Sequence, residues 1–276
     1  MQVDETIALS NCDREPIHIP GRIQSFGALV GYDRESEKIT HFSDNISKLF
    51  PELPQPSTDQ LFPSYLAEGL FQHAIRGAIG LPTIREQREW IGHQTIGNTA
   101  ADVGVYETDG TVVVELQPIS AAAENSPSNS GVGKLRAMLS GIESGRGVEH
   151  LMSSATSILR QVTGYDRVMT YRFLPNDDGE VIAEACGPGI EPYLGLRYPA
   201  SDIPKQARNI MLQTPSRLIH DTNDPHSLII SSGSKQSLDL SFGHLRGVSP
   251  IHVEYLQNMG VRATMNLSLV IDGRLW

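Results

Sequence analysis

Four tyrosines, a histidine, an aspartate and two arginines in the C-terminal half of the chain have the side-chain types to hold a large, flat, conjugated ligand with carboxylate tails. The rings of Tyr171, Tyr193, Tyr198 and Tyr255 would pack its faces, Arg217 and Arg246 would bind its carboxylates, and Asp202 or His252 would meet its polar N–H groups. Each residue also has a plainer reading. Asp202, just before Pro204, would serve as a helix N-cap, His252 as a satisfied core histidine, and an arginine is most often simply solvated. Spacing alone does not prove convergence. The only cysteines are Cys12 and Cys186, too few for a disulfide framework and without zinc-site spacing, so neither a staple nor a metal is expected. Cys12, flanked by Asp13, Arg14 and Glu15, reads either as an incidental thiol on an arm or as an accessible reactive one. Cys186, between an apolar run and a Gly-Pro-Gly turn, reads as structural.

Two α+β regions must position these residues. Pro16 to Gln24 is Pro-rich without helical period and reads as an extended, ordered segment after an arm of residues 1–15. Apolar runs at 27–32 and 37–42 predict strands, 61–80 predicts helix, and 102–107 with 111–118 predicts a hairpin through Thr108-Asp109-Gly110. The first region is therefore placed at 16–119, with an antiparallel sheet. Residues 120–131 are small and polar and mark a linker. The second region, 132–276, opens with helical spacing over 132–162, interrupted at Gly145-Arg-Gly147, followed by antiparallel strands at 166–173 and 180–186. A helix is expected from near Pro204, capped by Ser201 or Asp202. Another is expected from Ser249-Pro250 to Gly260, with Ser249 as N-cap and His252 and Tyr255 on one face. Residues 220–247 read as a long irregular stretch, and such stretches inside a domain are usually functional or disordered. A strand at 263–271 meets Asp272-Gly273 and then only three residues, which predicts an unpaired strand in a chain cut mid-domain.

Composition narrows the function. With 276 residues, 22 Lys+Arg against 32 Asp+Glu and a net charge of −10, the chain lacks the clustered basic residues that phosphate tracking or a polybasic membrane patch requires. No run approaches a membrane span, and the acidic start is unlike a secretory signal, so a cytoplasmic location is expected, with no nucleic-acid or membrane partner.

Six separated segments carry a more specific signal: Asn11-Cys12, Pro16-Ile-His-Ile-Pro-Gly-Arg-Ile-Gln24, Tyr165-Asp-Arg-Val-Met-Thr-Tyr-Arg-Phe173, Gly179-Glu-Val-Ile-Ala-Glu184, Tyr198-Pro-Ala-Ser-Asp-Ile-Pro204 and Arg246-Gly-Val-Ser-Pro-Ile-His-Val-Glu-Tyr-Leu-Gln-Asn-Met-Gly260. In order and spacing they resemble the signature segments of bacterial phytochromes. The resemblance implies a PAS domain followed by a GAF domain, with the N-terminal segment threaded through a GAF loop in a figure-of-eight knot. Residues 220–247 would form the lasso and Ile23 would pass through it.

The same resemblance implies a red/far-red photoreceptor module that binds the linear tetrapyrrole biliverdin IXα. Relatives from plants and cyanobacteria carry their attachment cysteine beside the GAF histidine, where this chain has Pro250-Ile251 before His252, so Cys12 is implied as the thioether anchor. Asp202 would use its backbone carbonyl on the pyrrole N–H groups and His252 would share that network. Arg217, Arg246, Ser249 and Thr264 would hold the propionates. Met169, Tyr171, Tyr193, Tyr198 and Tyr255 would line the ring faces and the D-ring cavity, with Ile203, Pro204 and Met211 beside them. Light would drive Z-to-E isomerisation before the D ring. Ser25-Phe26, Met211 and Asn266 depart from the usual family residues, Pro-His, tyrosine and serine. A PHY domain and an output module, by analogy a histidine kinase, would follow in the full-length protein, and a homodimer through helices 132–162 is implied, although an apolar helical stripe is more often core. Two other classes stand beside this one: a PAS/GAF sensor for a nucleotide or haem, which would not need Cys12, and a hydrolase using Cys12 and His252, which lacks a third orienting group. The chain itself is thus expected to be a sensor and not an enzyme.

Overall fold

A computed structural model describes residues 15–66, 69–119, 147–232 and 237–276. Cys12, the proposed linker and the helix expected at 132–144 lie outside the described residues. The strands, in chain order, are β1 (Arg22–Ile23), β2 (Ala28–Asp33), β3 (Ile39–Ser43), β4 (Glu89–Ile96), β5 (Thr99–Thr108), β6 (Thr111–Pro118) and β7 (Arg167–Phe173). They continue as β8 (Gly179–Cys186), β9 (Arg197–Tyr198), β10 (Ser216–Ile219), β11 (Ser227–Ser231), β12 (Thr264–Leu267), β13 (Val270–Ile271) and β14 (Arg274–Leu275). Helices span Gly69–Ile79, Val148–Thr163, Lys205–Gln213 and Pro250–Asn258, with shorter turns between. The fold is α+β with antiparallel sheets, as the sequence predicts. Two compact units form: one gathers the described residues of Met1–Ala121 and Lys205–Arg274, the other those of Ala122–Pro204 and Leu275–Trp276.

The first unit is built on a seven-stranded sheet in the order β1-β11-β3-β2-β6-β5-β4. Its central strands are apolar nearly throughout because both faces are covered. Ala28, Val30 and Tyr32 of β2, with Val112, Val114 and Leu116 of β6, face a core shared with Phe50, Phe62 and Ile75. Leu29 and Val113 point the other way, into a core shared with Tyr106, Ile23, Leu238, Leu240 and Leu245. The β5–β6 hairpin turns at Asp109 and Gly110, with φ of 45° and 73°, the double left-handed geometry for which Asp-Gly is suited.

Three expectations need correction. The stretch 220–247 is not irregular throughout, because Ser227–Ser231 forms β11, which pairs with β1 on one side and β3 on the other. The strand expected at 263–271 is broken: the Ser268 amide turns to the carbonyl of Pro215 at 2.6 Å, separating β12 from β13. Neither piece lacks a partner, since β12 pairs with β10 and β13 with β14. Finally, Ser249 stands at the N-cap position before Pro250 but makes no side-chain cap bond. Its hydroxyl donates instead to the Glu15 carboxylate at 2.5 Å.

The extended segment Arg22–Gln24 lies between both flanks of residues 227–247. Arg22 and Ile23 pair with Leu228 and Ser227, Ile23 bridges Arg246, and the Gln24 amide donates to Leu245 at 2.8 Å. Gln24 is fully buried and uses its side chain as well, donating to the Leu218 carbonyl and accepting from the His220 amide, each at 2.9 Å.

Candidate functional site

The first unit carries Met211, Arg217, Arg246, Ser249, His252, Tyr255 and Thr264. β10 and β12 pair so that Arg217 stands opposite Asn266 and Ile219 opposite Thr264. Ile219, Val248 and Leu256 form a small core that seats helix Pro250–Asn258. The far end of this helix is tied by Gln257, which donates to the Thr222 carbonyl at 3.0 Å.

Arg217 and Arg246 do converge. The Arg217 guanidinium donates to the carbonyl of Arg246 at 2.6 Å, to that of Gly247 at 3.2 Å and to that of His244 at 3.3 Å. Arg246 is buried and donates to the Ser241 carbonyl at 3.3 Å. Burial, and then the like charge of Arg246, push the Arg217 guanidinium down to about 9, so it stays charged at neutral pH but is poorly solvated. Burial likewise lowers Arg246. Among the ion pairs of the described residues neither arginine has a carboxylate within bridging distance. Both guanidiniums are held by carbonyls, and nearby carboxylates act against the lowering that burial imposes, Glu115 on both arginines and Asp239 on Arg246.

His252 keeps exposed surface, yet its surroundings are crowded enough that desolvation, helped by Arg217, lowers the imidazole below its ordinary value. It is therefore neutral near pH 7, with one nitrogen able to donate and the other to accept. The Tyr255 ring lies one turn on, nearly parallel at 10° with centroids 6.3 Å apart. The departures from the family pattern find local partners. Ser25 gives its amide and hydroxyl to Asp224 at 2.9 and 3.1 Å, and Phe26 packs on His220 with centroids 5.0 Å apart.

The second unit carries Met169, Tyr171, Tyr193, Tyr198, Asp202, Ile203 and Pro204. A bulge follows Thr170 in the β7–β8 pairing, and the Tyr171 ring lies across Gly179, where any Cβ would sit about 2 Å from ring atoms. Tyr171 and Tyr198 approach at 6.0 Å, and Tyr171 meets Phe173 edge-on at 5.4 Å. Burial, with Tyr193 and other charges nearby, raises the Tyr198 hydroxyl. Glu184 accepts the amides of Tyr193 and Leu194 at 2.8 and 2.9 Å and pairs with Arg167 at 3.0 Å. The Arg167 guanidinium in turn lies 3.6 Å over the Tyr193 ring. Asp178 fixes the following turn by accepting the Ala200 amide at 3.0 Å, and the Asp202 amide closes it onto Pro199 at 3.0 Å. Met169 remains 41% exposed, an apolar side chain on a strand without cover in its own unit.

Arg217 and Arg246 are thus brought together, and so are Tyr171 and Tyr198 beside Gly179, while Tyr193 lies against Arg167. Sequence reasoning passed over Gln24, Glu184 and Glu115. A carboxylate inside the apolar run 112–116 is the one visible hint for Glu115. Among the described residues no cluster of His, Cys, Asp or Glu could hold a metal, and no helix is long and apolar enough to cross a membrane.

Comparison with known proteins agrees with this architecture. The PAS-fold family matches residues 12–119 and the GAF domain family matches residues 148–276. A bacteriophytochrome of Pseudomonas aeruginosa is 37% identical over 98% of the chain, and cyanobacterial phytochrome B of Nostoc is 33% identical over 98%. The chain spans 36% of the length of each. Among solved structures, the chromophore-binding domain of a Stigmatella aurantiaca bacteriophytochrome, a mutant in the Pr state, superposes with a TM-score of 0.84 at 34% identity, covering 96% of this chain and 88% of that one. The wild-type chromophore-binding domain of Stigmatella phytochrome P1 gives 0.81 at 36% identity. With the PAS-like sheet, the GAF match and a solved chromophore-binding domain of which this chain covers 88% at 34% identity, the chain belongs to the bacteriophytochrome family, in the region that corresponds to the PAS–GAF chromophore-binding domain.

Proposed function

We propose that the chain is a red/far-red photosensory module that binds biliverdin IXα covalently through a thioether at Cys12. The observation that carries the reading is the adjacent pair of half-buried Arg217 and buried Arg246, whose guanidinium groups donate to backbone carbonyls and make no ion pair among the described residues. The propionates of a linear tetrapyrrole suit the planar fork of a guanidinium. When bound, biliverdin supplies red-light absorption and Z-to-E isomerisation of the double bond before its D ring.

The chain's own residues do the rest. Arg217 is oriented by three carbonyls and keeps donors for a carboxylate, with Arg246, Ser249 and Thr264 completing the propionate set. Neutral His252 and the backbone of Asp202 hold the pyrrole N–H groups, so that loss of a proton would leave buried acceptors unmatched. Met169, Tyr171, Tyr193, Tyr198, Ile203, Pro204, Met211 and Tyr255 exclude water from the ring faces and bound the D-ring space. The domains are a PAS domain at 16–119, after an arm of 1–15, and a GAF domain at 132–276 beyond the linker. The N-terminal segment threads the 220–247 loop, a reading supported by the pairing of Ile23 with Ser227 on one side and Arg246 on the other. In the full-length protein a PHY domain and a kinase-type output module follow, in a cytoplasmic homodimer. Helix Val148–Thr163, with Val148 54% and Val162 42% exposed, offers a dimer face.

The test is the absorption spectrum after biliverdin is added, before and after red light and then in denaturant. A sharp red band that changes on illumination, with pigment still attached after denaturation, is the expected result. No red band would sink the reading and move the site to a nucleotide or haem.

A further inference from the structure

Glu115 of β6 is 1% exposed and is placed on the sheet face opposite the main PAS core, in line with Val113. It accepts three hydrogen bonds: from the Arg88 side chain at 2.7 Å, from the Leu245 amide at 3.0 Å and from the His244 amide at 3.1 Å. Two glycines make room for it. A Cβ on Gly104, the residue opposite Glu115 on β5, would lie about 2 Å from the Arg88 guanidinium, and one on Gly243 would lie 2.9 Å from the Glu115 carboxylate. The backbone fastened here is the one whose next carbonyls, those of His244, Arg246 and Gly247, receive the Arg217 guanidinium. Nothing else in the described structure gives the His244 and Leu245 amides a charged acceptor.

We propose that Glu115 is a positioning residue for the carboxylate-binding site: a buried PAS-sheet anion, held by Arg88, that fixes the 243–247 loop and through its carbonyls aims Arg217 at the ligand's carboxylates. This rests on the biliverdin reading and deepens it. Glu115 touches no ligand. Its influence reaches Arg217 through two amides and three carbonyls, and its own charge acts on Arg217 and Arg246 as well, so its effect must follow the charge of the ligand's tails and not the ligand's size. The geometry also makes Gly104 and Gly243 part of the device, since a side chain at either would displace Arg88 or the carboxylate.

The experiment compares biliverdin with its dimethyl ester, whose tails carry no charge, on the full chain in a Cys12→Ser background that keeps binding reversible. Glu115→Gln preserves shape and removes the charge. The parent is expected to prefer the acid over the ester by at least tenfold, and Glu115→Gln to reduce that preference about tenfold by weakening acid binding alone. Without ligand, hydrogen-exchange protection of the His244 and Leu245 amides should fall in the variant. An acid-to-ester preference unchanged by Glu115→Gln, or equal losses for both ligands, would overturn the positioning role while leaving the biliverdin reading intact. Equal affinity of the parent for acid and ester would overturn the reading of Arg217 beneath it. If Glu115→Gln does not fold, Gly104→Ala, which pushes aside the flexible Arg88 side chain, must reduce the preference in the same direction, or the proposal falls.

Discussion

Replacing Arg217 by Met keeps an unbranched side chain on β10 and deletes the charge, so it separates what this residue does for the free protein from what it does for a ligand. In the free protein two effects oppose each other. Three hydrogen bonds to carbonyls are lost, at about 1 kcal/mol net each. A half-buried cation beside Arg246, offset only in part by Glu115, is also lost, and removing such a charge recovers a few kcal/mol of desolvation. The sum is close to zero, and since about 1 kcal/mol moves the melting temperature of a chain this size by ~2–4 °C, the free protein's melting point should shift by no more than that. With biliverdin bound, the balance is one-sided. One charge-assisted hydrogen bond to a propionate is worth ~1.5–3 kcal/mol, which corresponds to a loss of roughly 10- to 150-fold in affinity. Titration followed at the red absorption band, with Cys12→Ser in both proteins, measures that loss directly. A melt at saturating biliverdin should show a ligand-induced rise smaller than the parent's, because a hundredfold weaker Kd removes about 2.7 kcal/mol of linked stabilisation. A dissociation constant within twofold of the parent's, in a protein that melts normally, would refute the assignment of Arg217 to the carboxylates.

Three further outcomes are expected. Cys12→Ser abolishes covalent attachment but permits reversible binding; a zinc-stained pigment band surviving on a denaturing gel would move the anchor elsewhere. Asp202→His weakens photoconversion and raises near-infrared emission by removing a decay route, and parent-level values of both would remove Asp202 from the site. Burial lowers the imidazoles of His226, His244 and His252, helped by Arg22, Arg88 and Arg217 respectively, so below pH ~6.5 the unfolded chain binds more protons than the folded one. Stability should then be full above about pH 6.5 and fall on acidification, the more so because the Val248 amide donates to the His226 ring at 3.2 Å; a melting temperature flat from pH 7.5 to 5 would contradict this.

Local chemistry decides which elements a sequence can announce. The β5–β6 hairpin is legible because Asp109-Gly110 admits the two left-handed residues its turn requires, and helix Pro250–Asn258 because proline suits its first position. β11 was missed because its reason is distant: Leu228 and Ile230 are 60% and 42% exposed, and the strand exists by pairing with residues about 190 positions earlier. The break after Leu267 is equally invisible in an apolar run, since it depends on the Pro215 carbonyl. At the site, residue types were legible and convergence was not. Arg217 and Arg246 look like ordinary surface arginines until the loop carbonyls are placed around them, and Cys12, which its polar flank marks as accessible and the resemblance implies as the anchor, lies outside the described residues.

The same long-range pairing explains why sequence order misleads about what supports the site. Arg217 belongs by sequence to the region after the linker, but the loop that orients it rests on the earlier sheet. Leu240 and Leu245 are fully buried against Leu29, Tyr106 and Val113, and Ile23 is enclosed in the same core. Burying each such side chain stabilises by about 1.5–3 kcal/mol, so the seven buried side chains of this core, from Ile23 to Leu245, bring together several kcal/mol of contact that neither region possesses alone. Adding Gln24, whose amide group is spent on β10 and His220, and Glu115, spent on the 243–247 loop, leaves buried polar groups on each region that only the other can satisfy. Apolar and polar complementarity point the same way. The PAS sheet is therefore a structural wall for the 243–247 loop, and a change in the position of Arg217 cannot be relaxed locally without disturbing hydrogen bonds that reach back to β6.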